Sequence, residues 1–166
     1  MRYADGPTVE VETLIDAPIE RVWELISDIS MPARFSAELL AAEWLDDPGE
    51  EALGRRFAGR SRHPAAGEWG TICTVTQWDP GRVFGWAVGD PAFPSASWRF
   101  QLAPEGAGTR LKQSARLGPA PSGLTPAIEA MPDKEERIVA RRLDEHRANM
   151  AATLAGIKEL AEAPGT

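Results

Sequence analysis

Six segments with strand character follow one another between residues 37 and 117, and this run constrains the fold more than any other feature of the sequence. The segments cover residues 38–45, 55–62, 68–78, 82–88, 96–102 and 109–117, and short turn sequences such as HPAAG, DPG and APEGAG separate them. Short turns join neighbouring antiparallel strands. The run therefore predicts an antiparallel sheet, in which Asp79-Pro80-Gly81 forms the hairpin turn between the third and fourth segments.

A seventh strand and two short helices are predicted before this run. In TVEVETLI, residues 8–15, small and apolar side chains alternate with glutamates, as in a half-buried strand. Pro18 then lies in the first turn of a helix, whose apolar face consists of Ile19, Val22, Trp23 and Ile26. We expect Trp23 to close one end of the sheet and residues 32–35 to form a second short turn.

A long helical pattern runs from about residue 132 to residue 161. Its apolar stripe consists of Val139, Leu143, His146, Met150, Leu154, Ile157 and Ala161. About 30 helical residues span roughly 45 Å, which is long enough to cross a whole sheet. The order of elements predicts an α+β fold, in which a strongly curved seven-stranded antiparallel sheet wraps the long C-terminal helix. One domain then spans residues 1–166, with its core at about 8–162.

The composition is that of an ordinary globular domain, and it disfavours several classes of function. A net charge of −7 over 166 residues argues against nucleic-acid binding, which requires a basic face. The sequence has no apolar run long enough to span a bilayer and no signal-peptide core, and its single cysteine fits a reducing cytosol. We therefore expect a cytoplasmic protein without nucleic-acid partners or membrane insertion. The oligomeric state stays open, and a homodimer is one option.

Several stretches resemble the START/Bet v 1-like helix-grip superfamily (SRPBCC), and in particular its bacterial polyketide cyclase/dehydrase-like branch. They are IDAPIERVWELISDI, LGRRFAGRSR, EWGTICTVTQWDPGRVFGW, SWRFQLAPEGAGTRLKQS and EHRANMAATLAGIKELAE. The resemblance covers about residues 8 to 162 and implies a deep cavity between the curved sheet and the long helix, which holds an apolar or aromatic small molecule. Members of this family include carriers, ligand sensors and aromatase/cyclases, and the resemblance brings no catalytic motif onto this sequence.

Alternation along the strands indicates which side chains face the space between sheet and helix. The more apolar faces contain Phe57, Gly59, Ser61, Trp69, Thr71, Cys73, Val75, Phe84, Trp86, Val88, Trp98, Phe100, Leu102, Leu111, Gln113, Ala115 and Leu117. In the segment 68–78, Ile72 and Trp78 favour the opposite phase, and a slip of one residue would invert that face. This pattern fits a pocket and a filled core equally well, and the resemblance favours the pocket. The expected ligand-binding residues are Ser61, Trp69, Thr71, Phe84, Trp86, Trp98, Phe100, Gln113, His146 and Met150.

Few residues are candidates for chemistry. His146 is either a core histidine or a hydrogen-bond donor or general acid–base in the pocket, and Gln113 and Arg60 are weaker catalytic candidates that could polarise carbonyls. Arg60 is otherwise expected on the solvent face. His63, in a predicted turn, is expected to be solvated, and Cys73 to be a buried, unreactive thiol. No metal-binding spacing and no nucleotide-binding motif is present, so we expect no metal and no cofactor.

Three functions remain open at this point. The first is binding of an apolar, polyketide- or lipid-like small molecule in the cavity, which requires only volume. The second is an aromatase/cyclase-type enzyme, which requires at least two polar groups that converge on one carbonyl. The third is an interaction module with a vestigial cavity, which predicts a filled interior and a large exposed apolar patch.

Overall fold

The seven predicted strands form one antiparallel sheet in the computed structural model, which describes residues 1–164. The strands are β1 (Thr8–Ile15), β2 (Leu39–Trp44), β3 (Arg56–His63), β4 (Gly67–Asp79), β5 (Val83–Asp90), β6 (Phe93–Glu105) and β7 (Gly108–Leu117). Their order across the sheet is β1-β7-β6-β5-β4-β3-β2. The hairpin at Asp79-Pro80-Gly81 is confirmed, because β4 pairs with β5 in a register that places Asp79 opposite Val83.

Within residues 1–164, three helices accompany the sheet: α1 (Ile19–Ile26), α2 (Thr125–Ala130) and α3 (Glu135–Glu162). Short 3-10 turns cover Tyr3–Asp5, Pro32–Arg34 and Pro132–Lys134. The sequence did not predict α2, because its proline and glycine neighbours are typical of a loop, although Pro126 fits the first turn of a helix. Within the described residues no helix is long and apolar enough to cross a bilayer.

The sheet curves so strongly that both of its edges reach α3. On the β1 edge, Lys158 Nζ donates a hydrogen bond to the backbone oxygen of Leu14 at 2.7 Å. On the opposite edge, the backbone N–H of Ala37, just before β2, donates to Asn149 Oδ1 at 2.9 Å. These contacts confirm the predicted architecture, in which a curved sheet grips the long C-terminal helix.

The concave face of the sheet has a closed end and an open end. At the closed end, α1 packs across the strand termini, and Ile15, Ile26, Leu111 and Ile157 have at most 1% of their surface exposed. Trp23 lies here as expected, with its ring 5.1 Å from that of Trp78 in an edge-to-face arrangement. The open end lies at the other termini of the strands, where the β3–β4 hairpin approaches the middle of α3.

A β-bulge in β4 changes which side chains face inward along the strand. Up to Val75 the inward side chains are those that alternation predicted, and Ile72 points outward with 49% of its surface exposed. The register then shifts between Val75 and Gln77. After the shift Trp78 faces inward and packs 5.4 Å from Phe84. One extra residue in a bulge changes the face on which later side chains lie, so the opposite phase holds for Trp78. It does not hold for Ile72, an apolar side chain that lies before the bulge and faces solvent.

Candidate functional site

The open end of the concave face carries an aromatic wall, formed by Trp86 and Trp98 on neighbouring strands. The register of β5 and β6 places the two residues opposite one another, and their rings lie 6.5 Å apart at an interplanar angle of 8°. The ring of His146, on α3, meets Trp98 edge-on at 5.0 Å. Both tryptophans are half-buried although they lie on the concave face, so helix and sheet leave part of this wall uncovered.

The structure divides the expected ligand-binding residues into two groups. The half-buried group, which lines the open end, contains Ser61, Trp69, Thr71, Trp86 and Trp98. The buried group, which lies among core side chains or directly beneath α3, contains Phe84, Phe100, Gln113, His146 and Met150. The deeper part of the concave face is therefore filled with side chains, and only the part near the open end is accessible.

Gln113 marks the boundary between these two parts. The sheet register places it beside Phe100, one row deeper than the pair formed by Trp98 and Ala115. Its side chain is 3% exposed, and its Oε1 has no hydrogen-bond partner. Thr109, Ser114, Glu135 and Thr153 are also buried and have partners. Trp78 Nε1, at the closed end, is buried without a partner, like Gln113 Oε1. Gln113 thus holds a buried, unpaired acceptor one row below the half-buried Trp98.

His146 points into the space between sheet and helix, as predicted. Burial is the main cause that lowers its pKa to about 3; the positive charge of Arg142 acts in the same direction, and Glu145 opposes both. A histidine with such a pKa is neutral near pH 7, so its ring can donate one hydrogen bond and is a weak general base.

A clasp of four charged or ionisable side chains, Glu38, His63, Arg142 and Glu145, closes the gap between the β2–β3 edge and α3. His63 Nε2 lies 2.7 Å from Glu145 Oε2 and 3.8 Å from Glu38 Oε1. Arg142 binds both carboxylates through Nη1. Burial alone would raise the pKa of Glu145, but the hydrogen bonds from His63 and Arg142 lower it below the usual range.

The expectation that His63 is solvated was wrong. Its side chain is 19% exposed, because the β3–β4 hairpin folds onto α3, a contact between residues 82 positions apart in the chain. The backbone N–H of Ala65 donates to His63 Nδ1 at 3.0 Å, so in neutral His63 the proton sits on Nε2 and faces Glu145. Both ring nitrogens are engaged, and His63 therefore serves as a structural tie rather than as a free base.

A groove of about 630 Å³ lies beside this clasp. It is lined by Ala37, Glu38, Arg62, His63, Pro64, Gly67, Glu145, Ala148 and Asn149. A second depression of about 270 Å³ involves mostly outward-facing positions of β1, β6 and β7. The groove adjoins the clasp, because Glu38, His63 and Glu145 belong to both.

The other candidate residues have no place at the aromatic wall. Arg60 is exposed on the solvent face, and the neighbouring Arg56 pairs with Asp46 through Nε at 3.1 Å. Cys73 is buried, and burial raises the pKa of its thiol to about 11, which only a hydrogen bond with Thr71 opposes. Within residues 1–164 no three His, Cys, Asp or Glu side chains are grouped so that they could hold a metal ion.

Solved structures with the same architecture come from several bacteria. A polyketide-cyclase-like protein of Corynebacterium glutamicum is 28% identical, with a TM-score of 0.65 over 93% of this chain and 91% of its own. The aromatase/cyclase Zhui of a Streptomyces species is 21% identical, with a TM-score of 0.65 over 94% of this chain and 93% of its own. The di-domain aromatase/cyclase BexL is 15% identical, with a TM-score of 0.72; the match covers 96% of this chain and 51% of BexL.

No curated protein matches the sequence. A profile of the family described as polyketide cyclase / dehydrase and lipid transport matches residues 7–159, which is nearly the whole chain. The fold, the aromatic wall on the concave face and this match agree, and the chain belongs to the polyketide cyclase/dehydrase and lipid transport family.

Proposed function

We propose that the protein binds an apolar, aromatic small molecule between the open end of the concave face and α3. The observation that carries this proposal is the difference in burial along one face of the sheet. Trp86 and Trp98 are only half-buried, whereas Phe84 and Phe100, which lie next to them on the same strands, are 1% exposed. Large aromatic side chains that remain uncovered on a concave surface are typical of ligand sites.

Entry of a ligand requires the clasp to open, because the β3–β4 hairpin otherwise lies against α3. The side chains of the clasp are 15–31% exposed, so its ion pairs form a network that is partly shielded from solvent. A ligand of about 20 heavy atoms at roughly −0.3 kcal/mol per atom gains about −6 kcal/mol, which corresponds to a dissociation constant of some tens of micromolar. Because such values per atom are net free energies, this dissociation constant already includes the cost of opening the clasp.

Tryptophan fluorescence tests the proposal directly. A panel of flavonoids, polycyclic aromatics and fatty acids is titrated into the protein, and we expect a saturable change in emission at micromolar concentrations. Trp86→Phe and Trp98→Phe should each remove part of the response. Trp44→Phe is the matched control, because Trp44 packs edge-on against Phe57 on the outermost pair of strands. No saturable change from any compound would contradict the proposal and favour the interaction module.

An aromatase/cyclase activity is the second candidate. It is supported by the two polar side chains next to the aromatic wall, Gln113 and neutral His146, which could both bind a carbonyl or hydroxyl group of a poly-β-keto chain. The weak basicity of His146 argues against it as the base of such a reaction. Product analysis after incubation with a poly-β-keto substrate separates the two candidates, since saturable binding without turnover is the behaviour of a carrier.

A further inference from the structure

The unpaired Oε1 of Gln113 indicates which chemical group a ligand should present at this position. A buried acceptor without a partner destabilises the folded protein, and nearly all buried polar atoms in proteins are paired. Gln113 is 3% exposed and lies one row deeper than the half-buried Trp98, beside Phe100 and Val11. A bound molecule that reaches past the Trp98–Ala115 row would meet this amide, and a hydroxyl group on that molecule would satisfy it. A hydroxyl group is both donor and acceptor, so it matches either orientation of the amide.

Charge restricts the ligand further. The buried polar side chains of the described chain are Thr109, Gln113, Ser114, Glu135, His146 and Thr153, and no lysine or arginine is among them. Arg142 is the cation that acts on His146, and its guanidinium is already bound by Glu38 and Glu145. A carboxylate at the floor of the site would therefore lie in an apolar environment without a counter-ion, which is strongly unfavourable.

We propose that Gln113 selects uncharged, hydroxylated aromatic ligands over both their unsubstituted analogues and carboxylates such as fatty acids. This inference rests on the proposed function, and it makes Gln113 a specificity-determining residue of the same site. The neutral state of His146 near pH 7 agrees with a site that holds no charged group.

Three probes of matched shape test the inference: 2-naphthol, 2-methylnaphthalene and 2-naphthoate. The methyl and hydroxyl groups are similar in size, so the first two differ mainly in hydrogen bonding. Equilibrium dialysis at pH 7 should give a dissociation constant for 2-naphthol about five- to tenfold below that of 2-methylnaphthalene, the effect of about one buried hydrogen bond. Binding of 2-naphthoate should be weaker than that of 2-naphthol by about a hundredfold.

Gln113→Met removes the amide and keeps the length of the side chain. We expect it to reduce the preference for 2-naphthol over 2-methylnaphthalene to less than about twofold, because the hydroxyl group loses its partner. The matched control is Gln101→Met, the same change on the outward face of β6 beside β7, which should keep the full preference. Thermal unfolding checks that the variants are folded, and Gln113→Leu replaces Gln113→Met if that variant unfolds.

The outcomes separate the inference from the proposed function. If the wild-type protein binds 2-naphthol and 2-methylnaphthalene equally, or if the folded Gln113 variant keeps the preference, the selection by Gln113 is wrong and the binding function stands. If the folded wild-type protein binds none of the three probes up to millimolar concentration, the proposed function itself is wrong, and the inference with it.

Discussion

The closed and open ends of the concave face contain similar residue types, but they are packed in different ways. At the closed end α1 covers the strands, and aliphatic side chains such as Ile26 and Leu111 are completely buried. At the open end α3 passes over half-buried tryptophans, and the clasp of Glu38, His63, Arg142 and Glu145 replaces apolar contacts. The closed end thus contains completely buried aliphatic side chains that stabilise the fold, whereas the open end is less completely packed around Trp86 and Trp98.

The largest expected effect comes from truncating the same residue type at the two ends. Leu111→Ala, at the closed end, should lower the free energy of unfolding by about 3–4 kcal/mol, because it removes a completely buried side chain and leaves a cavity. Leu143→Ala, at the half-buried margin of α3, should lower it by only about 1 kcal/mol. Urea denaturation measures both values. Equal losses would mean that the two ends are packed alike.

The second-largest expected effect is a pH dependence of the free energy of unfolding, caused by His146 at the open end. The pKa of His146 is about 3 in the folded protein, against about 6.5 for an unperturbed histidine, so the unfolded chain binds more protons between these two values. The stabilising contribution of neutral His146 is therefore fully present above about pH 6.5 and is lost as the pH falls towards 3. In this window the free energy of unfolding changes by on the order of 1 kcal/mol per pH unit.

His146→Leu should flatten this slope between pH 6.5 and pH 4.5, because the variant has no imidazole to protonate. Urea denaturation at a series of pH values gives the slope for both proteins, and the total difference over this window is about 2–3 kcal/mol. The same slope in wild type and variant would show that His146 is accessible to solvent protons in the folded state.

The clasp should give a smaller effect on stability and a clearer effect on kinetics. Glu145→Gln weakens the ties to His63 and Arg142, and partly exposed ion pairs of this kind contribute about 0.5–1 kcal/mol. We expect faster association and dissociation of an aromatic probe in stopped-flow fluorescence, with a nearly unchanged dissociation constant. Asp144→Asn is the control, because Asp144 pairs with Arg147 on the exposed side of the same helix. A Glu145→Gln variant with wild-type rates would show that ligands enter elsewhere.

Most of the fold could be predicted because it depends on local patterns. Strand alternation, the Asp79-Pro80-Gly81 turn and the long apolar stripe of α3 each arise from residues close together in the sequence. The clasp could not be predicted in this way. It joins Glu38 and His63 to residues more than 80 positions away, and charged side chains at a strand end are most often solvated.

The sequence predicted which side of the sheet the candidate site residues face, but it did not predict how deeply each residue is buried. Alternation correctly placed Trp98 and Phe100 on the concave side, yet it could not show that Phe100 is packed into the core while Trp98 is half-buried. That distinction depends on where α1 and α3 cover the sheet. The unpaired state of Gln113 likewise follows from its three-dimensional neighbours and has no sequence signature.

The smallest expected effect tests the bulge that separates the two phases of β4. Ile72 lies before the bulge and is 49% exposed, whereas Val75 is 1% exposed on the opposite face. Ile72→Thr should therefore change the free energy of unfolding by less than about 0.5 kcal/mol, the usual range for a surface position. Val75→Thr, which places a hydroxyl group in the core, should lower it by about 1–3 kcal/mol. If Ile72→Thr is the more damaging change in urea denaturation, then β4 has the opposite phase before its bulge. Trp69 and Thr71 would then face outward, and they would no longer belong to the open end.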